Sequence, residues 1–157
     1  MELIGLLAGH FAAAGGDLAR AVAGGGSVLL SPQSHLYLDR PYDLAQAPAA
    51  DRDCLGRLGF RGYRPQDLRA AAAWRPEVPG LPADRVAGVE ATLFGESLQS
   101  FGDLCTLLLP RLPGVAETAW SGPPGAWPGY RSRLGAHSAL WRRRGLRYFA
   151  ATSVAWA

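Results

Sequence analysis

Apolar and polar positions alternate between helical and strand periods along most of this chain. Leu18, Ala21 and Val22 fall at helical spacing after Asp17, a residue suited to an N-cap, and Gly24-Gly25-Gly26 stops the pattern. Ser27-Val28-Leu29-Leu30 follows as a short apolar run before Ser31-Pro32, which reads as a buried strand. A second apolar strand is predicted over Val86 to Phe94. A helical pattern then runs from Ser97 through Leu98, Phe101, Leu104, Cys105 and Leu108. Pro110 and Pro113 interrupt it, and Val115 to Trp120 resumes it. After Pro123-Pro124, the positions Tyr130, Leu134, His137, Leu140 and Trp141 define one helical face, which Gly145 ends. Leu146 to Phe149 reads as a last extended piece.

Helix, strand, long connection, strand, helix, helix is the order of an α/β fold with parallel strands. The connection, residues 44–84, is dominated by Ala, Pro, Arg and Asp and holds no strong period, although Asp67 to Trp74 suits a short helix. Its length exceeds the ~2–6 residues of an ordinary βα loop, and loops of that kind are usually functional or disordered. Met1 to Ala8 is mildly apolar and carries Glu2 in place of a positive n-region, so it reads as a strand or a misplaced start rather than a targeting signal. No signal peptide is recognised, which as written implies a cytoplasmic chain.

Composition narrows the classes. Gly and Pro number 20 and 12 of 157 residues, above the ~12% usual for the pair but short of the ~25–30% that argues disorder. With 48% hydrophobic and 18% charged residues the chain has the profile of one folded domain. All sixteen basic residues are Arg. The one dense run, Arg142-Arg143-Arg144, suits a solvated helix end and its dipole. A nucleic-acid face would need several such clusters among aromatics. Cys54 and Cys105 lie too far apart for a metal motif, and His10, His35 and His137 are scattered, so neither a metal nor another cofactor is expected. No apolar stretch reaches the ~18 residues of a membrane span. The Gly24 to Gly26 run follows a helix and precedes a strand, the reverse of a phosphate cradle.

Chemistry in parallel α/β proteins gathers where strands end. The segment after the first strand carries Tyr37 and Asp39, and the second strand ends in Phe94 and Glu96. Each pair is two residues apart, so in an extended segment its members point the same way. An aromatic ring with a carboxylate suits a sugar: the ring packs on the C–H face and the carboxylate accepts from hydroxyls. Spacing alone equally allows Tyr37 as a core tyrosine and Asp39 as a turn former before Arg40-Pro41.

Four stretches in order make the reading specific. They are Leu29-Leu30-Ser31-Pro32 with Leu36-Tyr37-Leu38-Asp39 and Tyr42-Asp43; Gly88-Val89-Glu90-Ala91 with Leu93-Phe94-Gly95-Glu96; Pro110-Arg111-Leu112-Pro113 with Ala116-Glu117 and Ala119-Trp120-Ser121; and Gly145-Leu146-Arg147-Tyr148-Phe149. Together they resemble the C-terminal part of glycoside hydrolase family 20, the β-N-acetylhexosaminidases, over roughly residues 17 to 156. The resemblance implies a (β/α)8 barrel, which needs at least ~200 residues. Residues 1–157 would then be the C-terminal portion of a catalytic barrel, its last two or three βα units. Met1 to Phe11 would stand in place of the preceding strand, with 44–84 as a long βα connection.

By the same resemblance Tyr37 would hydrogen-bond the acetamido group of an N-acetylhexosamine-containing glycan, and Asp39 and Glu96 would bind its hydroxyls. Phe94 stands where the family usually has Trp, keeping a ring face and losing the indole N–H. Full-length members are often exported. The family's retaining, substrate-assisted chemistry runs on an adjacent Asp-Glu pair from an earlier strand, and this chain contains no Asp-Glu dipeptide. No catalytic residue is therefore assigned, and no acid of raised pKa is in view. The expectation is a C-terminal fragment of a β-N-acetylhexosaminidase-like hydrolase, inactive alone. The alternatives are a non-catalytic sugar-binding or interaction remnant, and one half of a split enzyme completed by the missing N-terminal part of the barrel.

Overall fold

The computed structural model describes residues 3–8, as backbone, and residues 18–157. Asp17 and His10 lie outside the described residues. Strand β1 (Leu3–Ala8) is followed by helix α1, described over residues 18–23, and strand β2 (Ser27–Pro32). The glycine stop works as a Schellman motif. Gly26 N–H donates to Ala21 O and Gly25 N–H to Val22 O, with Gly25 at φ 85°. Strand β3 (Val86–Val89) completes a three-stranded sheet in the order β1-β2-β3, all parallel. Its central strand is covered: Val28 and Leu30 are fully buried, as a strand flanked on both edges and packed by helices requires.

Between β2 and β3 the chain forms α2 (Gln33–Leu36), α3 (Arg52–Leu55) and α4 (Leu68–Ala72). Asp67 caps α4, its carboxylate accepting from Ala70 N–H at 2.6 Å. The long connection is neither disordered nor peripheral. Its Tyr42, Ala47, Leu55, Leu58 and Leu68 are buried in one cluster with Leu107, Tyr130, Leu134, Trp141, Phe149, Ala151 and Val154. The main core therefore lies between this connection and the C-terminal helices, not on the sheet alone.

Those helices are α5 (Phe101–Leu108), α6 (Arg111–Ser121) and α7 (Trp127–Arg143). α5 starts later than the Ser97 of the sequence pattern, because Ser100 is the residue whose side chain accepts from Asp103 N–H. Pro113 does not interrupt α6. It sits in the first turn, where a backbone N–H has no partner within the helix. The α7 face also differs from the expected one. Tyr130, Leu134 and Trp141 are buried as expected, but with Gly135 and Ser138, while His137 and Leu140 are exposed. The chain end decides this. A Cβ on Gly135 would meet Ala155 O at 2.1 Å, Ala157 N–H donates to Gly135 O, and Ser138 Oγ–H is placed to donate to Gly135 O and Ala157 O. Only small residues admit a backbone this close.

Gly145, at φ 65°, ends α7 in a second Schellman motif, with Leu146 N–H on Trp141 O and Gly145 N–H on Arg142 O. The predicted extended piece over Leu146 to Phe149 forms no strand. Phe149 instead donates its N–H to Leu109 O and stacks on Tyr42 at 4.0 Å.

Candidate functional site

Strand β2 stops at Pro32, which has no N–H to continue a ladder. The single turn α2 follows, and the chain rejoins the sheet at Tyr37, which bridges Thr92 in parallel. Thr92 N–H donates to Leu36 O at 2.9 Å and Leu38 N–H to Thr92 O at 2.7 Å. Asp39 then lies in a turn. On the other side β3 ends at Val89, Thr92 contributes the bridge, and Glu96 also lies in a turn. The simple same-side geometry expected of two continuous strands is thus corrected. Both pairs sit beyond the strands: Tyr37 forms the bridge, Phe94 lies in irregular chain, and Asp39 and Glu96 lie in turns.

The structure nevertheless brings the Tyr37 and Phe94 rings into contact and places the Asp39 carboxyl within electrostatic range of Tyr37 and Glu96. The Tyr37 ring is 5.3 Å from the Phe94 ring, tilted by 57°. Tyr37 is 8% exposed and Phe94 43%, so the pair offers an apolar edge at the surface. Asp39 is 1% exposed, and among the described residues neither carboxylate oxygen has a hydrogen-bond partner from another residue. Burial raises its pKa above the usual aspartate range. Its own backbone N–H opposes that, the Glu96 charge adds to it, and Arg40 and Arg111 oppose it. The fourth residue, Glu96, is exposed and acts on Asp39 through its charge. Tyr37 is likewise pushed up, first by burial and then by Tyr63, Asp39 and Glu90.

The long connection adds residues that sequence reasoning missed. Tyr63 stands edge-on to Tyr37 at 6.2 Å, Phe60 packs edge-on to Tyr63 at 4.9 Å, and the Arg40 guanidinium lies 5.0 Å over the Tyr63 ring. The signal was Gly59-Phe60-Arg61-Gly62-Tyr63, two aromatics interleaved with glycines in an otherwise polar stretch. Gly59 is required by the backbone around it, whereas at Gly62 a side chain would push the exposed Phe60 ring aside. A Cβ on Gly62 would meet Phe60 Cε1 at 2.4 Å, and one on Gly59 would meet Asp39 O at 2.7 Å. Phe60 N–H donates to that same Asp39 O at 2.8 Å.

A charged network ties the 57–60 and 96–103 segments together. Arg57 donates to buried Asp103 at 2.6 Å and Gly59 N–H to Ser97 Oγ at 2.8 Å. Arg57 holds the Asp103 carboxyl below its ordinary range. Cys105 is a buried thiol, pushed up by burial. Among the described residues no three of His, Cys, Asp and Glu gather into a group able to hold a metal ion. A ring pair near a buried carboxylate that has no partner among the described residues suits a neutral polyol, which supplies both C–H faces and O–H donors.

Known proteins share this architecture. A curated β-N-acetylhexosaminidase of Cellulomonas fimi is 37% identical over 139 residues, covering 87% of this chain and 26% of that protein. The solved GH20 β-N-acetylhexosaminidase from Streptomyces coelicolor A3(2) superposes with a TM-score of 0.78 at 32% identity, covering 99% of this chain and 30% of that one. A mutant Streptomyces plicatus β-hexosaminidase, solved in complex with product GlcNAc, gives a TM-score of 0.79 at 31% identity, with 99% of this chain and 30% of that one covered. The chain spans about a quarter to a third of the length of these relatives. The profile of the glycosyl hydrolase family 20 catalytic domain matches residues 12–123, and with most of its length so matched this chain belongs to glycoside hydrolase family 20.

Proposed function

We propose that this chain forms the last two or three βα units of a family 20 catalytic barrel and supplies part of the site that grips a terminal N-acetylhexosamine of a glycan. One observation carries the reading. Among the described residues Asp39 is buried with neither carboxylate oxygen partnered by another residue, within electrostatic range of Tyr37, whose ring meets that of Phe94; such burial is costly unless a ligand donates to it. In this reading Asp39 and Glu96 accept from sugar hydroxyls, Tyr37 donates to the acetamido group, and Phe94 with Tyr63 walls the ring. The parallel three-stranded sheet and the likeness to family 20 structures support the barrel assignment.

The role assigned to the chain is binding. Hydrolysis by the whole enzyme removes terminal N-acetylhexosamine and needs a general acid, and the chain has no Asp-Glu pair to provide it. Charge-assisted hydrogen bonds contribute roughly 1.5–3 kcal/mol each. Two of them and one ring face, less the cost of association, give at best about millimolar affinity. NMR titration with N-acetylglucosamine tests this. The expected result is a saturable shift of Tyr37, Asp39 and Phe94 signals, weakened in Glu96→Gln and absent in Asp39→Asn. No saturable shift, or an equal response to glucose, refutes the reading.

A further inference from the structure

Arg111 opens α6 and is 4% exposed. A buried guanidinium normally meets a carboxylate, yet among the described residues Arg111 makes no ion pair. Its two terminal nitrogens donate to backbone instead, to Arg40 O, to Pro41 O at 3.1 Å and to Gln66 O at 3.2 Å, while its Nε has no partner among the described residues. Its plane lies 3.8 Å over the Tyr42 ring. Tyr42 is fixed from behind, its hydroxyl donating to Leu107 O and its ring stacking on Phe149.

The three carbonyls form one small unit. Tyr42 and Gln66 make a parallel bridge, with Gln66 N–H on Pro41 O at 3.0 Å and Asp43 N–H on Gln66 O at 3.3 Å. The two residues directly after Asp39 supply two of the three acceptors. A rigid fork is the group that can hold three diverging carbonyls at once; a lysine ammonium is a point charge. The Arg111 charge also acts on the Asp39 carboxylate, as do Arg40, Glu96 and Tyr37 from their own segments.

We propose that Arg111 is a positioning residue for Asp39: by clamping the Arg40, Pro41 and Gln66 carbonyls it holds the turn that aims the buried carboxylate at the sugar. The inference rests on Asp39 being a sugar acceptor. It explains why a buried cation with no acidic partner is kept at the start of α6. It also ties the Pro110-Arg111 segment, 71 residues away from Arg40 in sequence, to the site.

The test uses the whole chain labelled with 13C at aspartate carboxyls, the Asp39 signal being assigned by its loss in Asp39→Asn, and N-acetylglucosamine as probe. In Arg111→Met the Asp39 titration midpoint is expected to rise, and N-acetylglucosamine binding at pH 7 to weaken about tenfold. In Arg111→Lys the midpoint stays near wild type while binding weakens several-fold and the Gln66 amide exchanges faster. Leu134→Ala, which loosens the core away from this turn, leaves the Asp39 midpoint unchanged. A folded Arg111→Met with an unchanged midpoint overturns the proposal. If Arg111→Met does not fold, Arg111→Lys decides: wild-type Asp39 carboxyl shift and wild-type Gln66 exchange together overturn it. If the wild-type chain does not bind N-acetylglucosamine, the sugar reading fails, and the carboxyl shift and amide exchange still decide whether Arg111 sets the Asp39 geometry.

Discussion

The Gly59 N–H donates to Ser97 Oγ at 2.8 Å, joining the loop that carries Phe60 to the loop that carries Glu96. One residue on, Phe60 N–H donates to Asp39 O. Two hydrogen bonds thus link the segments of Asp39, Phe60 and Glu96, and Arg57 on Asp103 braces the same junction. The relative placement of the candidate site residues is set by the protein backbone before any ligand arrives, which reduces the ordering cost of binding.

Gly59 is the residue this junction tolerates least to lose. It has φ 90°, and a Cβ there would meet Asp39 O, Pro41 N and Pro41 Cα, all within 2.9 Å and all backbone. Gly59→Ala should therefore cost about 3 kcal/mol or more, combining left-handed strain with a clash that no rotamer relieves. Gly25, at φ 85° with nothing within 4 Å of its Cβ position, should cost only about 1–2 kcal/mol on the same change. Urea unfolding of the two variants checks the difference; equal losses would mean that the close approach at Gly59 relaxes freely.

Asp103 makes stability pH-dependent in the acid range. Its carboxyl is held below the ordinary range, first by Arg57. Its contribution is therefore fully present above the unfolded value of about 3.9 and is lost as pH falls through the lower folded value. Asp103→Asn should lower the melting temperature at pH 7 by roughly 3–6 °C, with the gap to wild type closing as pH falls through the lowered folded value. Melting curves across that range test the sign.

Asp39 has the opposite sign. Burial raises its pKa, so the ionised group weakens the fold at neutral pH, and this cost fades as pH falls through the raised folded value toward about 3.9. Asp39→Asn should stabilise the chain at pH 7 by about 1 kcal/mol while removing N-acetylglucosamine binding. A variant that is less stable and still binds would show that the carboxylate has a structural partner rather than a ligand.

Tyr42 joins the long connection to α5 and the chain end. Its hydroxyl is placed to donate to Leu107 O and Leu109 O, and burial pushes its pKa up to about 12. Tyr42→Phe should cost about 1–2 kcal/mol by leaving Leu107 O short of a donor, Leu109 O keeping the Phe149 N–H, and Tyr42→Ala about 3–5 kcal/mol by also leaving a cavity against Phe149. Denaturant midpoints measure both; near-equal losses would place the energy in the hydroxyl rather than the ring.

Hydrolysis of an aryl N-acetylglucosaminide by this chain should stay at background, because Glu96 and Asp39 are placed to accept hydrogen bonds and no Asp-Glu pair is present. The check is release of the aryl alcohol by pure wild type and Glu96→Gln side by side. Turnover present in the first and absent in the second would make Glu96 an acid rather than a binder.

Local features were readable from the residues alone. Gly25 and Gly145 stop their helices as expected, since a positive φ is a property of one residue and its nearest turn. The apolar run of β2 marked a parallel strand because a largely buried strand has no polar period to confuse; β3 was legible from its apolar residues although it is only half-buried. Tyr37, Asp39, Phe94 and Glu96 could be named as candidates because they lie a few residues beyond those strands.

What depended on partners far along the chain was not readable. Gly135 and Ser138 face inward because residues 154–157 return onto α7, and nothing within the helix announces that. Ala47, Leu55, Leu58 and Leu68 lack any period, yet join the core because helices some 40–100 residues later supply their neighbours. Phe60, Tyr63 and Arg111 reach the Asp39 turn only once the long connection folds back over the strand ends. A sequence specifies its own φ angles and periods locally; which of several apolar faces is buried, and which cation meets which carbonyl, is a contest among distant segments for the same space, and only the tertiary packing decides it.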